Sequence, residues 1–600
     1  MLESPIAAHS TGVPNHNRLA SAIGFLGLAL LPACGPPGPA PTTEDRSALP
    51  TPASPTEPWF EEVAAAADVN FTYQTGQQPG KYLMPEIKGG GVGLFDYDRD
   101  GWLDILCVQG GSLHPEITHR PGPRLFRNLG NWQFQDVTDQ ANISSHGSYG
   151  MGCALNDYDG DGWPDILINH VDGPRLYRNL GDGTFREVTE TAGLSDRSWG
   201  VSAAFFDYDD DGWLDLAIAN YLVWSIEAEV TCYSRGGLPD YCSPLSYNAP
   251  AITSLYHNLG NGQFEFVSHL AGLDRAYGHG LGVICADFDR DGRQDLYVAN
   301  DATPNQLWIN LGNGKFEDQA MIRGCAVNAI GMPEAGMGIT SADLDHNGWR
   351  DLFITHLVGE ANRLYMNHQG YFSDTVLPRG PGAPSWPLTS FGVGFFDFDH
   401  DGLFDLFVSN GRVKRGVTDL DPDQPYIEPN LLLRGEALDQ FEIVPNAGTA
   451  QPLLAAGRGA AFGDLDNDGD IDIVVVNRDT PLHLLKNVAP KRGNSITLRL
   501  VNRHGRMAVG ADVRLDAGDR SWWRAVAPHE SYGSSNDPRV HCGLGNVSRV
   551  DQILVRWPGG QSEWFGPLAA NQEHQLREGT GTPAAPTAAN SKSQSPNTSL

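Results

Sequence analysis

The chain has 600 residues and a formal net charge of −32 at pH 7, with 73 acidic residues against 41 lysines and arginines. This length exceeds what one ordinary hydrophobic core contains, so we expect a large repeat domain and at least one smaller domain. The negative charge excludes a nucleic-acid-binding surface, because phosphates require a basic partner.

An apolar run near the start indicates export. Residues 19–33 read LASAIGFLGLALLPA and are followed by Cys34. The run is too short to span a membrane but matches the core of a signal peptide. The ending LPAC resembles a bacterial lipobox, in which Cys34 would carry lipid, although Pro32 departs from that pattern and leaves ordinary signal cleavage open. We assign residues 1–34 to the signal peptide and residues 35–58, rich in Pro, Ala and Thr, to a flexible linker.

A nine-residue string, D-x-D-x-D/N-G-x-x-D, occurs seven times in the next part of the chain. Its copies begin at Asp96, Asp157, Asp207, Asp287, Asp343, Asp397 and Asp464. Side-chain oxygens at positions 1, 3, 5 and 9 and the carbonyl oxygen of position 7 can converge on one cation, and glycine at position 6 permits the tight turn. Oxygen ligands in this number suit Ca²⁺. The sequence therefore predicts up to seven Ca²⁺ loops.

Each loop contributes five predicted ligands, at positions 1, 3, 5, 7 and 9. The predicted calcium ligands are Asp96, Asp98, Asp100, Trp102, Asp104, Asp157, Asp159, Asp161, Trp163, Asp165, Asp207, Asp209, Asp211, Trp213, Asp215, Asp287, Asp289, Asp291, Arg293, Asp295, Asp343, Asp345, Asn347, Trp349, Asp351, Asp397, Asp399, Asp401, Leu403, Asp405, Asp464, Asp466, Asp468, Asp470 and Asp472. The residue at position 7 contributes only its carbonyl oxygen.

The strings belong to a repeat that predicts an all-β fold. Each string follows a strand of small residues and precedes an apolar strand and a hairpin around Asn-Leu-Gly-Asn-Gly, as in LYRNLGDGTF from Leu176. Four strands in each of seven units predict a seven-bladed β-propeller over residues 59–490. The last unit lacks a fourth strand, and residues 60–63 are predicted to supply it, so that no sheet edge stays free.

The cysteines fit an exported protein. Cys232 and Cys242 lie in one polar insertion and are predicted to form a disulfide, with two unpaired thiols as the alternative. Cys107, Cys153 and Cys285 lie in apolar strands and are predicted to be buried thiols.

The predicted topology places a polar ring on the face opposite the calcium loops. The second strands of the seven units end there, at Gln109, His170, Asn220, Asn300, His356, Asn410 and Asn477. The residues predicted to bind a ligand on this face are Lys88, Tyr149, Trp199, His279, Asn220 and Asn300. The acid–base candidates of an enzyme would be His279, His170 and His356, since imidazole titrates near neutral pH. The alternative is that these amides only satisfy turns and contact neighbouring blades.

The loops and hairpins resemble FG-GAP/VCBS repeats, the propeller type of integrin α-subunits. Residues 491–578 resemble the ASPIC/UnbV domain through NRHGRMAVGADVRL from Asn502, NDPRVHCGLG from Asn536 and RWPGG from Arg556. Together these parts are similar to the cartilage acidic protein family in its bacterial form. The resemblance implies a calcium-binding propeller followed by a small β-rich domain, outside the cytoplasm. Residues 579–600 have no apolar pattern and are predicted to be disordered.

The sequence supports three functions. The first is a binding or adhesion module, either an outer-membrane or periplasmic lipoprotein or a secreted protein, which takes an unknown protein, glycan or small molecule and meets the membrane only through a lipid anchor. The second is a propeller enzyme of the lyase, hydrolase or alkylating type, with its site opposite the calcium loops. The third is a structural scaffold. No G-x-S-x-G, H-E-x-x-H or P-loop motif occurs in the sequence to favour a reaction.

Overall fold

The computed structural model describes residues 57–584, except residues 118–119, 145–146, 235, 376–382, 416–424, 438–439 and 492. The predicted signal peptide, Cys34 and nearly all of the predicted linker lie outside the described residues. The described residues belong to one compact unit.

Seven four-stranded antiparallel sheets, which we number 1 to 7 in chain order, form the first part of the described chain. Sheet 1 consists of Val92–Phe95, Asp104–Cys107, Arg124–Asn128 and Phe134–Asp136. Sheet 2 consists of Gly150–Asn156, Asp165–His170, Arg175–Asn179 and Phe185–Glu187. Sheet 3 consists of Gly200–Phe206, Asp215–Asn220, Ser254–Asn258 and Phe264–Phe266. Sheet 4 consists of Gly280–Ala286, Asp295–Asn300, Gln306–Gly312 and Lys315–Asp318. Sheet 5 consists of Ile339–Ala342, Asp351–Ile354, Arg363–His368 and Tyr371–Asp374. Sheet 6 consists of Ser390–Phe396, Asp405–Asn410, Leu431–Ala437 and Gln440–Val444. Sheet 7 consists of Gly457–Gly463, Asp472–Asn477, His483–Asn487 and Phe60–Glu62.

The fourth strand of sheet 7 comes from the start of the described chain. Phe60 pairs with Asn487 and Glu62 with Leu485, antiparallel. The ring of Phe60 packs in the core, 5.3 Å from the ring of Phe398 in sheet 6. The predicted completion of the last sheet by residues 60–63 is thus confirmed, and it removes a free edge.

The first strands of the sheets pack against one another in a closed cycle, in which sheet 7 contacts sheet 1. Glycines permit this close approach. A Cβ atom on Gly152 would lie 2.3 Å from the carbonyl oxygen of Val201 in sheet 3, and one on Gly338 would lie 2.0 Å from that of Phe391 in sheet 6. The sheets therefore surround a narrow central channel, and the predicted all-β propeller class is confirmed.

Helices are short and lie between the strands. The α-helices among the described residues are Thr138–Ala141, Ser268–Ala271 and Ala320–Arg323. The 3-10 helices there are Met84–Ile87, Ile226–Ala228, Pro244–Ser246, Leu273–Arg275, Ala383–Ser385 and Pro445–Gly448. None of these helices has the length and apolar character needed to cross a membrane. Short strand pairs join Cys232–Tyr233 to Pro239–Asp240 and Glu428–Pro429 to Leu454–Ala455.

The C-terminal domain is also built of strands. One sheet contains Val540–Gly545, Asn494–Val501 and Glu573–Arg577; a second contains Arg520–Ala525, Asp512–Ala517, Gln552–Arg556, Ser562–Phe565 and Thr582–Pro583; and a short pair joins Arg549–Val550 to Leu568–Ala569. Residues 579–584 of the predicted disordered tail are placed in the structure, where Thr582 pairs with Trp564 and Glu563 accepts hydrogen bonds from the backbone of Gly579, and residues 585–600 lie outside the described residues.

Part of the C-terminal domain enters the channel. We call residues 528–537 the channel segment. Its backbone hydrogen-bonds to the first strands of four sheets, through Ser535 to sheet 1, Gly533 to sheet 2, Ser531 to sheet 5 and Asp537 to sheet 7. The domain also contacts the acidic strings at Gly212, His400 and Gly469, so it lies on the face that carries them, and the channel segment fills the channel from that side.

Candidate metal sites and the two ends of the channel

The seven acidic strings form loops between the first and second strands of each sheet, on what we call the loop face. In the first of these acidic loops, Gly101 has φ +93° and its N–H donates to Oδ2 of Asp96 over 3.0 Å. A positive φ is the reason that this position requires glycine. The sequence folds locally as the motif predicts.

The last aspartate of each loop ties the loop to two strands. Oδ2 of Asp104 accepts a hydrogen bond from the N–H of Tyr97 (3.0 Å), and its Oδ1 accepts one from the N–H of Asn128 in the third strand (2.8 Å). The equivalent buried aspartates are Asp165, Asp215, Asp295, Asp351, Asp405 and Asp472. These carboxylates hold the loop closed as well as facing its interior.

The inner carboxylate oxygens fit a cation. Ligand atoms within 4.8 Å of one another are found in Asp96, Asp98 and Asp104, in Asp157, Asp159 and Asp165, in Asp207, Asp209 and Asp211, and in Asp287, Asp289 and Asp291, among other groups. Buried Oδ1 atoms without a hydrogen-bond partner among the described residues belong to Asp96, Asp98, Asp207, Asp289, Asp343 and Asp466. Buried carboxylate oxygens that lack a donor are stabilised by a cation.

The electrostatics of the loops also favour a bound cation. Burial raises the pKa of Asp157 to about 6 and that of Asp207 to about 7, where the charge of Asp215 adds to the effect. Burial also raises the pKa of Asp343 and Asp464 to about 7. A divalent cation would keep these carboxylates ionised at neutral pH.

The third strands place a basic side chain against several loops, a feature that sequence reasoning missed. Nε of Arg127 lies 2.6 Å from Asp98, and Nη2 of Arg178 lies 2.9 Å from Asp161. In these strands the basic residue comes directly before the asparagine of the hairpin sequence. This regular position is the sequence signal that could have identified it. The basic side chain compensates part of the acidic charge from outside the loop.

A second missed feature is the asparagine that follows this base. The side-chain amide of Asn258 donates to the carbonyl oxygens of Leu214 in its own loop and Tyr158 in the preceding loop, both over 2.9 Å. The same link to the preceding loop is made by Asn128, Asn179, Asn310, Asn367 and Asn487. Sheet 6 has Gly435 at this position. We call these side chains the linking asparagines, since they join each loop to its neighbour.

At the other end of the channel, the predicted ligand residues are buried. Lys88, Tyr149, Trp199 and His279 are each at most 3% exposed. Nζ of Lys88 forms an ion pair with Asp301 over 2.8 Å. The hydroxyl of Tyr149 donates to the carbonyl oxygen of Thr75 over 3.1 Å. These predicted ligand residues are therefore shielded from solvent in this structure, and their role in binding stays a prediction.

The polar ring is bonded to its own chain. The amide of Asn220 donates to the carbonyl oxygen of Ile252 over 2.9 Å, and that of Asn300 donates to the carbonyl oxygen of Pro304 over 2.8 Å. The Asn300 contact satisfies the turn after its strand, whereas Asn220 reaches across the insertion to the residues before the third strand of its sheet.

The three candidate histidines are buried as well. Nδ1 of His170 and Nδ1 of His356 each lie 3.1 Å from the backbone carbonyl oxygen two residues earlier, and Nδ1 of His279 lies 2.9 Å from the carbonyl oxygen of Asp301. Burial lowers the pKa of His356 to about 4 and also lowers that of His279. At neutral pH these two imidazoles are neutral and shielded from solvent.

The insertion between the second and third strands of sheet 3, residues 221–250, covers this end. Its Trp224 packs on Trp199 with ring centres 5.9 Å apart, and the hydroxyl of its Tyr241 donates to Glu86 over 3.0 Å. Cys232 and Cys242 form a disulfide with a Cα–Cα distance of 5.3 Å, which braces the insertion. The channel is therefore filled from the loop face by the channel segment and covered at the other face by the insertion.

These features define the class of protein. The FG-GAP-like repeat matches residues 96–168, 157–218, 237–298, 287–354 and 343–408, and the ASPIC and UnbV domain matches residues 501–583. The chain is therefore a protein of FG-GAP-like repeats that carries an ASPIC and UnbV domain.

The particular relatives are cartilage acidic proteins, to which the chain is homologous. It is 26% identical over 348 residues to cartilage acidic protein 1 of Xenopus tropicalis, covering 55% of this chain and 50% of that protein. It is 25% identical over 353 residues to that of Homo sapiens, covering 55% and 49%. The chain thus spans about half the length of the curated relatives it matches. Among solved structures, an Agrocybe aegerita lectin described as recognising non-reducing terminal N-acetylglucosamine aligns with a TM-score of 0.36 and 15% identity, over 68% of this chain and 90% of that one.

Proposed function

We propose that this protein is an exported, calcium-stabilised binding module whose binding surface is the outer side of the insertion. The observation that carries the proposal is a set of exposed apolar side chains on that insertion. Val223, Tyr233, Leu238 and Leu245 are between 57% and 73% exposed. Several exposed apolar side chains on one short segment are typical of an interaction site.

The C-terminal domain occupies part of the loop face, whereas the insertion presents its outer side to solvent. The loop face carries the C-terminal domain, and the channel segment fills the channel behind it. On the opposite face, the disulfide holds the exposed residues on a braced segment, which lowers the entropy that binding would cost.

The chemistry of the patch favours a protein partner. Three of its four members are aliphatic, and aliphatic side chains pack against apolar protein surfaces, whereas sugars are bound by aromatic faces and polar groups. The predicted lipid anchor at Cys34 would place such a module at the outer membrane, where an adhesion role fits.

The calcium part of the proposal is supported by the acidic loops. Their inner oxygens converge, and several lack any other donor. The disulfide is consistent with an oxidising compartment, as export requires. Up to seven Ca²⁺ ions would neutralise the loops and fix their connections between strands.

An enzyme is the less favoured alternative. Its acid–base candidates, His279, His170 and His356, are all buried, and the ring of His279 packs against Tyr221 at the start of the insertion. Turnover there would require the insertion to move away first.

The test combines binding with a matched surface control. Calcium-loaded protein is applied to arrays of extracellular proteins and glycans, and each ligand found is then titrated against two double variants. Tyr233→Ser with Leu238→Ser alters the patch, and Leu129→Ser with Leu259→Ser alters two exposed leucines of the hairpins.

We expect the patch variant to lose at least about tenfold in affinity, since two apolar side chains would leave the interface. The hairpin variant should bind like wild type, and both should keep the wild-type melting temperature. Equal binding by both variants would place the surface elsewhere, and an absence of ligands on both arrays would argue against a binding module.

A further inference from the structure

The acidic loop of sheet 6, residues 397–405, differs from the other six in how far it is covered. The residue at loop position 5 is exposed in six loops: Asp100, Asp161, Asp211, Asp291, Asn347 and Asp468. The equivalent Asp401 is only partly exposed, and Gly402 beside it is buried. Asp397 and Asp399 are 1% and 0% exposed. This loop is therefore closed on the side that faces solvent in the others.

The cover is the C-terminal domain. A Cβ atom on Gly543 would lie 1.8 Å from Oδ2 of Asp397, so the backbone of this strand lies directly against the first carboxylate of the loop. Two residues later, the N–H of Gly545 donates to the carbonyl oxygen of His400 over 3.0 Å. No side chain larger than hydrogen fits between the strand and Asp397.

Two further side chains of the domain complete the cover. The buried indole of Trp522 lies over Gly402, because a Cβ atom there would be 2.9 Å from its Nε1. The guanidinium of Arg524 lies 3.8 Å from the ring centre of Phe404. At the loop of sheet 3, by contrast, Arg506 donates to the carbonyl oxygen of Gly212 and lies over the ring of Trp213, but Asp209 and Asp211 stay exposed.

We infer that the C-terminal domain seals one calcium ion in the loop of sheet 6, so that this ion leaves only when the domain lifts. The inference rests on the proposed calcium binding. Arg434 pairs with Asp399 and Asp401 and offsets only part of the charge of the four carboxylates in this loop. Because buried carboxylates without a compensating cation are costly, sealing the loop favours one that is loaded before or while the domain docks. By linkage, the bound ion stabilises the docked domain as much as the domain retains the ion.

Release kinetics test this arrangement. Calcium-loaded wild-type protein is mixed in a stopped-flow instrument with an excess of a fluorescent calcium chelator. We expect a fast group of ions from the exposed loops and one ion per molecule that is released at least about tenfold more slowly, since its release is coupled to a local opening.

Two isosteric variants show which loop releases the calcium of each kinetic phase. Asp399→Asn removes a carboxylate of the sealed loop and should abolish the slow phase. Asp159→Asn is its match in the loop of sheet 2, whose position-5 residue is exposed, and it should reduce only the fast phase.

A third variant changes the cover and no predicted ligand. Gly543→Ala places a methyl group against Asp397 and should move the slow ion into the fast phase, whereas Ser548→Ala, at an exposed position of the same domain, should leave both phases unchanged. Release in a single phase by wild type, or loss of the same phase in both asparagine variants, would overturn the inference. Protein that takes up no calcium would instead defeat the proposed function.

Discussion

At the residue scale, the linking asparagines are the most regular contacts between neighbouring sheets. Each side-chain amide uses two donors on two backbone carbonyls, one in its own loop and one in the preceding loop. Because these carbonyls are buried, loss of the amide leaves them without a partner and costs more than one surface hydrogen bond.

We predict that Asn258→Ala lowers the free energy of unfolding by about 2 to 3 kcal/mol, the sum expected for two buried hydrogen bonds. Chemical denaturation in the presence of calcium measures the change. The control is Asn261→Ala at the exposed tip of the same hairpin, which should stay within about 0.5 kcal/mol of wild type. Equal effects of the two substitutions would show that the amide links contribute nothing particular.

The sequence predicted some of these residues and missed others for physical reasons. A cation fixes the spacing of its ligands, so the aspartates of the loops are evident in the string itself. The linking asparagines lie in a Gly-rich hairpin, where asparagine already has a local explanation as a turn residue. Burial of Lys88 depends on Asp301, which lies 213 residues away in the chain, so no local pattern could reveal it.

At the element scale, the strand Phe60–Glu62 carries the closure of the propeller. It pairs with the third strand of sheet 7, and Phe60 is almost fully buried between sheets 6 and 7. The repeat pattern of the sequence was enough to predict this pairing. The last repeat lacked a fourth strand, and the first residues of the domain matched the missing one.

Two truncations test the role of this strand. Deletion of residues up to Pro55 should leave the melting temperature unchanged, since it removes only the predicted leader and linker. Deletion up to Phe71 also removes the strand, exposes an edge of sheet 7 and should cause aggregation. The two proteins are compared by thermal melting and by size-exclusion chromatography. Similar behaviour of both would mean that sheet 7 does not need its fourth strand.

The insertion shows where element-level prediction fails. Its place in the third repeat and its cysteine pair were evident, yet the sequence did not reveal that Trp224 and Tyr241 pack over the end of the channel. The same holds for residues 528–537, which fit a channel that exists only after all the sheets have closed. Both segments are placed by long-range packing, which repeats and turns do not encode.

At the scale of the whole molecule, the acidic loops, the channel segment and the C-terminal domain form one connected arrangement. The loops join the first two strands of each sheet, the linking asparagines connect successive loops, and the C-terminal domain rests on the loop face. A change in the charge of the loops should therefore reach every sheet as well as the interface between the two domains.

We propose that bound calcium stabilises the contacts among the loops, the sheets and the C-terminal domain. A calorimetric melt with and without calcium tests this proposal. Protein loaded with calcium is compared with the same protein in excess chelator at the same ionic strength and pH. Because cations that bind only the folded chain stabilise it, and because the loop carboxylates repel one another without them, we predict that chelation lowers the melting temperature by more than about 10 °C. Restored calcium should recover the original transition. Identical melting curves with and without chelator would contradict the account.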